Sequence, residues 1–110
     1  MSRKRRTLVF VGPESSSGAG ENAPLGRLKD IRETLANFNT NSDGTPFEGQ
    51  PTQRLHGPGI VIELSLSVDP ATQALCHIND DTIAWGVLER ICRATKWRMM
   101  DPETGRVMGF

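Results

Sequence analysis

IVIELSLSV, residues 60–68, is the stretch of sequence that decides the fold. Aliphatic side chains occupy every second position from Ile60 to Val68, and the positions between them are mainly polar. Successive side chains of a β-strand point to opposite faces of the sheet, so this alternation predicts a strand with one buried face and one wet face. Asp69-Pro70 predicts a turn, and residues 73–78 predict a returning strand, although residues 71–75 also fit a helical turn.

A helix follows this pair of strands. Asn79 and Asp80 are residue types typical of a helix N-cap, and Asp81 suits the first turn of a helix. Apolar residues then recur at helical spacing as far as Cys92 and Thr95. The sequence therefore predicts an amphipathic helix with its apolar stripe against the sheet.

The end of the chain predicts a hairpin. Residues 97–100 and 106–110 flank the segment DPETG at 101–105, in which Pro suits a type I turn and Gly the left-handed position after it. Residues 59–110 thus predict an α+β core domain: a small antiparallel sheet in the order β-β-α-β-β with one covering helix. We expect this domain to contain an autonomous core.

The first half of the chain predicts less structure. Residues 1–23 are basic and then rich in Ser and Gly, and we expect a flexible segment with a short strand at 7–11 (TLVFV). From Pro24 onward, apolar residues recur every three or four positions, which predicts an amphipathic helix over residues 24–38. Residues 39–58 are rich in Asn, Thr, Gly and Pro and predict a linker or a long loop.

Length and composition exclude several classes of protein. A chain of 110 residues has room for one modest core, which excludes a large two-lobed enzyme. The 13 basic and 13 acidic residues give a formal net charge of zero, so the whole chain is not expected to be drawn to nucleic acid. No apolar run approaches the roughly 18 residues of a membrane helix, and no signal peptide is recognisable. We expect a small soluble, cytoplasmic domain with reduced cysteines and no membrane partner.

Two motifs resemble ligand sites but fail on their context. Residues 18–23 (GAGENA) fit a dinucleotide-binding pattern, but the predicted strand at 7–11 ends too early for a tight turn into the helix. Residues 39–44 (NTNSDG) match the opening of a calcium loop, but Gln50 stands where a bidentate carboxylate is needed. We therefore expect a flexible loop and a turn, without a cofactor.

The cysteines and histidines do not have the spacing of a metal site. Zinc ligands usually come in pairs two to four residues apart. The chain offers only Cys76, His77, Cys92 and His56. We expect buried structural thiols and no metal or catalytic residues. A small enzyme is a further alternative, and it would need a polar pocket with a carboxylate near one histidine. Its candidate residues are His56, His77, Asp80 and Asp81.

Two groups of residues are candidates for binding a partner. Aromatic and thioether side chains of the second half predict a protein-binding patch, unless they complete the core. These are Trp85, Trp97, Met99 and Met108. A basic block at the start of the chain would contact phosphates or an acidic partner. It comprises Arg3, Lys4, Arg5 and Arg6. We predict a non-enzymatic protein-interaction or regulatory module, with nucleic-acid binding through the basic arm as the alternative.

Overall fold

A computed structural model of the protein describes residues 6–13, 23–42 and 49–108. Its elements are β1 Arg6–Val11, α1 Leu28–Ala36, β2 Thr52–Gly57, β3 Ile60–Ser65, β4 Gln73–Ile78, α2 Asp81–Thr95, β5 Arg98–Met100 and β6 Val107–Met108. The strands form one antiparallel sheet in the order β2-β3-β4-β1-β5-β6. The predicted α+β class is confirmed.

Both helices pack on the same face of the sheet. The register places Leu8 of β1 beside Cys76 of β4, and Cys76 beside Ile62 of β3, so these three side chains share one face. They belong to a single buried cluster that also contains Ile31 of α1 and Leu88 of α2. The amphipathic helix of the first half therefore joins the predicted covering helix over one common core.

The strand β1 lies in the middle of the sheet. It pairs with β4 along its whole length and with β5 at Val9–Val11. All four residues from Leu8 to Val11 are buried, and Leu8 and Phe10 belong to the core cluster beneath the helices. The short strand predicted at 7–11 is thus confirmed, and it joins the core that the sequence analysis assigned to residues 59–110.

The strand β3 ends earlier than the alternation predicted. Ser65 is its last residue, and residues 66–67 form a turn. The Leu66 N–H donates to the carbonyl of Pro51 at 2.9 Å, and Leu66 still packs against the core. Val68 is 45% exposed, so the last aliphatic position of the pattern does not enter the core.

The predicted linker at 39–58 is wrong for residues 52–57, which form β2. Leu55 lies opposite Ile62 of β3 and is only 2% exposed. Gln53 is also buried, and its Oε1 accepts a hydrogen bond of 3.4 Å from Nη1 of Arg32. With one aliphatic side chain on the buried face of β2, hydrophobic alternation has too few members to predict the strand.

Replacing Leu55 by Ala is expected to lower the free energy of unfolding by about 2–4 kcal/mol, because a buried leucine is lost and a cavity remains. Urea denaturation followed by tryptophan fluorescence measures this change. Val68→Ala is the matched control, since this side chain is 45% exposed and a surface substitution usually changes stability by only about 0.5 kcal/mol. Equal stability of the two variants would show that β2 does not contribute to the core.

The helix α1 begins at Leu28 rather than at the predicted Pro24. Before it, the backbone of Gly26 forms a bridge with Ala71, which keeps this segment extended. The Leu28 N–H then donates to Oδ1 of Asp69 at 3.2 Å, so the β3–β4 loop caps the first turn. A contact between residues distant in sequence therefore sets the start of this helix.

The helix α2 has both ends that the sequence predicted. Asp80 is its N-cap and accepts a 3.0 Å hydrogen bond from the Thr82 N–H. The helix ends at Lys96, whose φ of 65° is left-handed and whose N–H donates to the carbonyl of Cys92. Local capping residues thus determine this helix.

The hairpin of β5 and β6 is also confirmed. Met99 pairs with Met108, and Met100 with Val107. The turn between them is closed by two hydrogen bonds, from the Asp101 N–H to the Arg106 carbonyl and from the Gly105 N–H to the Asp101 carbonyl. Gly105 has a φ of 74°, a conformation that glycine adopts without steric cost. None of the described helices is long and apolar enough to span a bilayer.

Candidate functional site: the outer sheet face

The candidate site lies on the face of the sheet opposite the helices, which we call the outer face. Side chains alternate between the two faces of a strand, so the neighbours of core residues point to the outer face. The pairing of neighbouring strands places one such residue from each of the six strands in a single row across the sheet. In sheet order these residues are Arg54, Glu63, Leu75, Val9, Met100 and Val107. Neither of the two described helices contributes a residue to this row.

Four neighbouring members of this row are apolar, and we call them the apolar row. They are Leu75 of β4, Val9 of β1, Met100 of β5 and Val107 of β6. Leu75 is 37% exposed and Val107 is 43% exposed, whereas Val9 is buried between its register partners. Single exposed apolar residues are ordinary on protein surfaces, whereas these two exposed side chains belong to one row of apolar residues in register.

Sequence reasoning did not find the apolar row. Leu75 and Val107 come from distant segments, and only the pairing of β4 and β5 with β1 places their strands in one row. The signal in the sequence was the alternation of side chains along each strand, which places every second residue on the same face. Leu75 alternates with Ala74 and Cys76, both of which are buried, and it therefore lies on the opposite face of β4.

Polar side chains of three strands are hydrogen-bonded beside the apolar row. Thr7 Oγ1 lies 3.1 Å from Nδ1 of His77, and His77 Nε2 lies 3.2 Å from Oε2 of Glu63. We call these three side chains the His77 network. The His77 side chain is 41% exposed and that of Glu63 is 19% exposed. The network therefore lies at the surface of the protein, within reach of solvent.

The partners of His77 indicate which ring nitrogen carries the proton when the imidazole is neutral. A carboxylate only accepts hydrogen bonds, so His77 donates from Nε2 to Glu63. In the neutral imidazole the other nitrogen, Nδ1, then carries a lone pair and accepts the hydroxyl proton of Thr7. The arrangement holds the imidazole ring between an orienting carboxylate and a hydroxyl group.

The other residues proposed for an enzyme site lie elsewhere. His56 of β2 pairs through its backbone with Asn41, with N–H to carbonyl distances of 2.7 and 3.0 Å. Asp80 is occupied as the N-cap of α2, and Asp81 is exposed in the first turn of that helix. The structure thus gives His77 a carboxylate partner that the sequence analysis did not name.

The two cysteines lie in the core. Cys76 and Cys92 are free thiols, and both are buried. Burial raises the pKa of Cys76 to about 12, with a further contribution from the nearby Cys92, and burial likewise raises the pKa of Cys92 to about 12. Both thiols are therefore protonated at neutral pH, as in structural cysteines. Across residues 6–13, 23–42 and 49–108, no group of three His, Cys, Asp or Glu side chains could hold a metal ion.

Two of the four residues proposed for a protein-binding patch belong to the core. Trp97 is buried, donates from Nε1 to the carbonyl of Leu25 at 3.2 Å, and packs edge to face on Phe10 with ring centroids 5.5 Å apart. Met99 is fully buried. Trp85 and Met108 are partly buried against the same cluster. A surface patch made of all four residues is therefore wrong, because the sheet encloses two of them.

Only one residue of the basic block is placed by the structure. The Arg6 guanidinium lies 3.8 Å from a carboxylate oxygen of Asp101 and 5.7 Å from the centroid of the Trp85 ring. This charge is therefore already engaged within the protein. Arg3, Lys4 and Arg5 lie outside the described residues, as do residues 18–22 of the dinucleotide-like motif and Asp43 and Gly44 of the calcium-like motif.

The fold and this face define an α+β domain in which two helices cover one side of a six-stranded antiparallel sheet and a mixed apolar and polar face forms the other. Comparison of the chain with models of protein families, with curated proteins and with solved structures finds no match.

Proposed function

We propose that this protein is a non-enzymatic interaction module that binds a partner protein on its outer face. The observation that carries the proposal is the apolar row, which runs in register over four strands and leaves Leu75 and Val107 37% and 43% exposed. Removing such surface from water is the main driving force of protein association. The partner fitted to this face has an apolar strip on its own surface.

Charged side chains border the apolar row at one end. Arg54 and Glu63 are register partners on β2 and β3, and Glu63 adjoins Leu75 across the next strand pair. An apolar centre with a polar border is the usual anatomy of a protein–protein interface. The two opposite charges also favour a partner with a mixed polar rim over a uniformly charged surface.

A protein partner fits this face better than a nucleic acid does. Sheets that bind single-stranded nucleic acid stack bases on exposed aromatic rings. The described part of the outer face carries no Phe or Trp, because Phe10 and Trp97 point into the core. Nucleic-acid binding through the basic block is the second candidate function, and it rests on the charge of Arg3 to Arg6 alone.

The free thiols indicate the cellular compartment in which this module would act. Cys76 and Cys92 are both reduced and buried in one core. Proteins with unpaired cysteines are typical of reducing compartments. We propose that the module acts in the cytoplasm.

The proposal predicts that charges placed in the apolar row weaken partner binding. We expect a double variant, Leu75→Asp with Val107→Asp, to weaken capture of the bound protein by about tenfold or more, because buried anchors of an interface each contribute roughly 1 to 2 kcal/mol. Purified full-length chain, immobilised and incubated with nuclease-treated lysate, measures the capture. Circular dichroism establishes that the variant is folded.

The matched control puts the same charges on exposed aliphatic residues away from the outer face. Ile83 of α2 is 49% exposed and Val68 of the β3–β4 loop is 45% exposed, so Ile83→Asp with Val68→Asp should leave capture unchanged. Equal loss in both double variants would contradict a role of the outer face. Capture that disappears with nuclease would instead favour the basic block.

A further inference from the structure

Within the His77 network, the surface hydroxyl of Thr7 is hydrogen-bonded to an imidazole that can act as a base. Thr7 is exposed, and its Oγ1 lies 3.1 Å from Nδ1 of His77, which carries a lone pair when the imidazole is neutral with its proton on Nε2. The opposite ring nitrogen is held by Glu63 at 3.2 Å, which fixes both the tautomer and the orientation of the ring. A hydroxyl, a base within hydrogen-bond reach and a third group that orients the base form the general arrangement of an activated nucleophile.

We propose that Thr7 is a covalent acylation site, at which Oγ1 accepts an acyl group from activated esters. His77 serves as the base and Glu63 as a positioning residue. This inference goes beyond the proposed interaction function and does not rest on it. The network is exposed on the outer face, so we expect a single modification of the protein rather than turnover of a substrate.

The reaction balances without a further reagent. Thr7 Oγ1 attacks the carbonyl carbon of the ester, and its proton passes to Nδ1 of His77. The bond from the carbonyl carbon to the leaving oxygen then breaks, and the leaving group takes the proton from Nδ1. The products are the Thr7 ester and a free alcohol or phenol, and no group is oxidised or reduced.

Four other hydroxyls among the described residues have hydrogen-bond partners that are not bases. Ser65 and Ser67 bond to each other at 3.0 Å, and both lie at the surface. Thr95 donates to the carbonyl of Ile91 at 2.8 Å, and Thr40 donates to the carbonyl of Phe38 at 3.1 Å. A carbonyl or a second hydroxyl does not take up a proton at neutral pH. Ser65 is therefore an internal control in the same molecule.

The test is acetylation of the intact protein by p-nitrophenyl acetate, followed by peptide mass spectrometry over time. We expect Thr7 to be acetylated at least about tenfold faster than Ser65, a conservative value for general base catalysis. His77→Gln should reduce the Thr7 rate to that of Ser65. Thr7→Val should remove the label at this position, and acetylation of Lys29 and Lys96 monitors the reagent in every sample.

Glu63 is tested by a pair of variants. Glu63→Gln should lower the Thr7 rate, because a glutamine amide can also donate to Nε2 and so no longer favours a single tautomer. Glu63→Asp should restore part of the rate, because it keeps a carboxylate that only accepts. Thr7 labelling no faster than Ser65 in the parent protein would overturn the proposal. A Thr7 rate unchanged in folded His77→Gln would also overturn it. If that variant does not fold, the comparison of Thr7 with Ser65 in the parent decides alone.

Discussion

A fragment comprising residues 59–110 is expected to be unfolded on its own, although it contains four of the six strands and the longer helix. In the intact protein, β1 lies between β4 and β5, so its removal separates β3-β4 from β5-β6. The fragment would also lose the buried side chains of Leu8 and Phe10 from its core. Two separate hairpins with one helix do not bury enough apolar surface to offset the conformational entropy of folding.

Circular dichroism and the dispersion of amide resonances in the NMR spectrum check this expectation. A chain that begins at Arg6 and retains every described element is the control, and we expect it to fold cooperatively. Cooperative unfolding of the 59–110 fragment, with slow amide exchange at Ile60 to Leu64, would show that this half has the autonomous core that its sequence pattern suggested.

Phe10→Ala is expected to lower the free energy of unfolding by about 3–5 kcal/mol, a large part of the roughly 5–15 kcal/mol typical of a small domain. Phe10 is fully buried in the central strand and packs edge to face on Trp97. The substitution removes the ring and leaves a cavity that the paired strands on both sides cannot close by moving.

Urea denaturation measures this loss, and tryptophan fluorescence in a Trp85→Phe background reports the local change in packing around Trp97. Val107→Ala on the edge strand β6 is the control and should change stability by only about 0.5 kcal/mol, since Val107 is 43% exposed. If Phe10→Ala were as stable as Val107→Ala, β1 would not have the central place that the sheet order gives it.

The elements predicted from the sequence are those that local patterns specify. The alternation from Ile60 to Leu64 determines β3, and Asp80 with the following apolar stripe determines α2. The turn at 101–105 determines the hairpin of β5 and β6. In each case the signal lies within a few residues of the element, because side-chain periodicity, capping and turn geometry are properties of neighbouring residues.

The candidate site could be predicted only in part. His77 was named from the sequence, but Glu63 and Thr7 lie on other strands, and a register shift of one residue would turn either of them to the opposite face. The same holds for the apolar row. Its members belong to the strands predicted at 7–11 and 73–78 and to the predicted hairpin, and their adjacency depends on how β4 and β5 pair with β1.

The sequence by itself determined the α+β class, the amphipathic character of both helices and the hairpin at the end of the chain. Only the tertiary structure decided that TLVFV occupies the middle of the sheet, that Leu55 anchors a strand within a polar segment and that Trp97 and Met99 are enclosed. The physical reason is that burial depends on which strands become neighbours. Pairing between distant segments is selected by the summed packing of the whole core and not by the residues beside each strand.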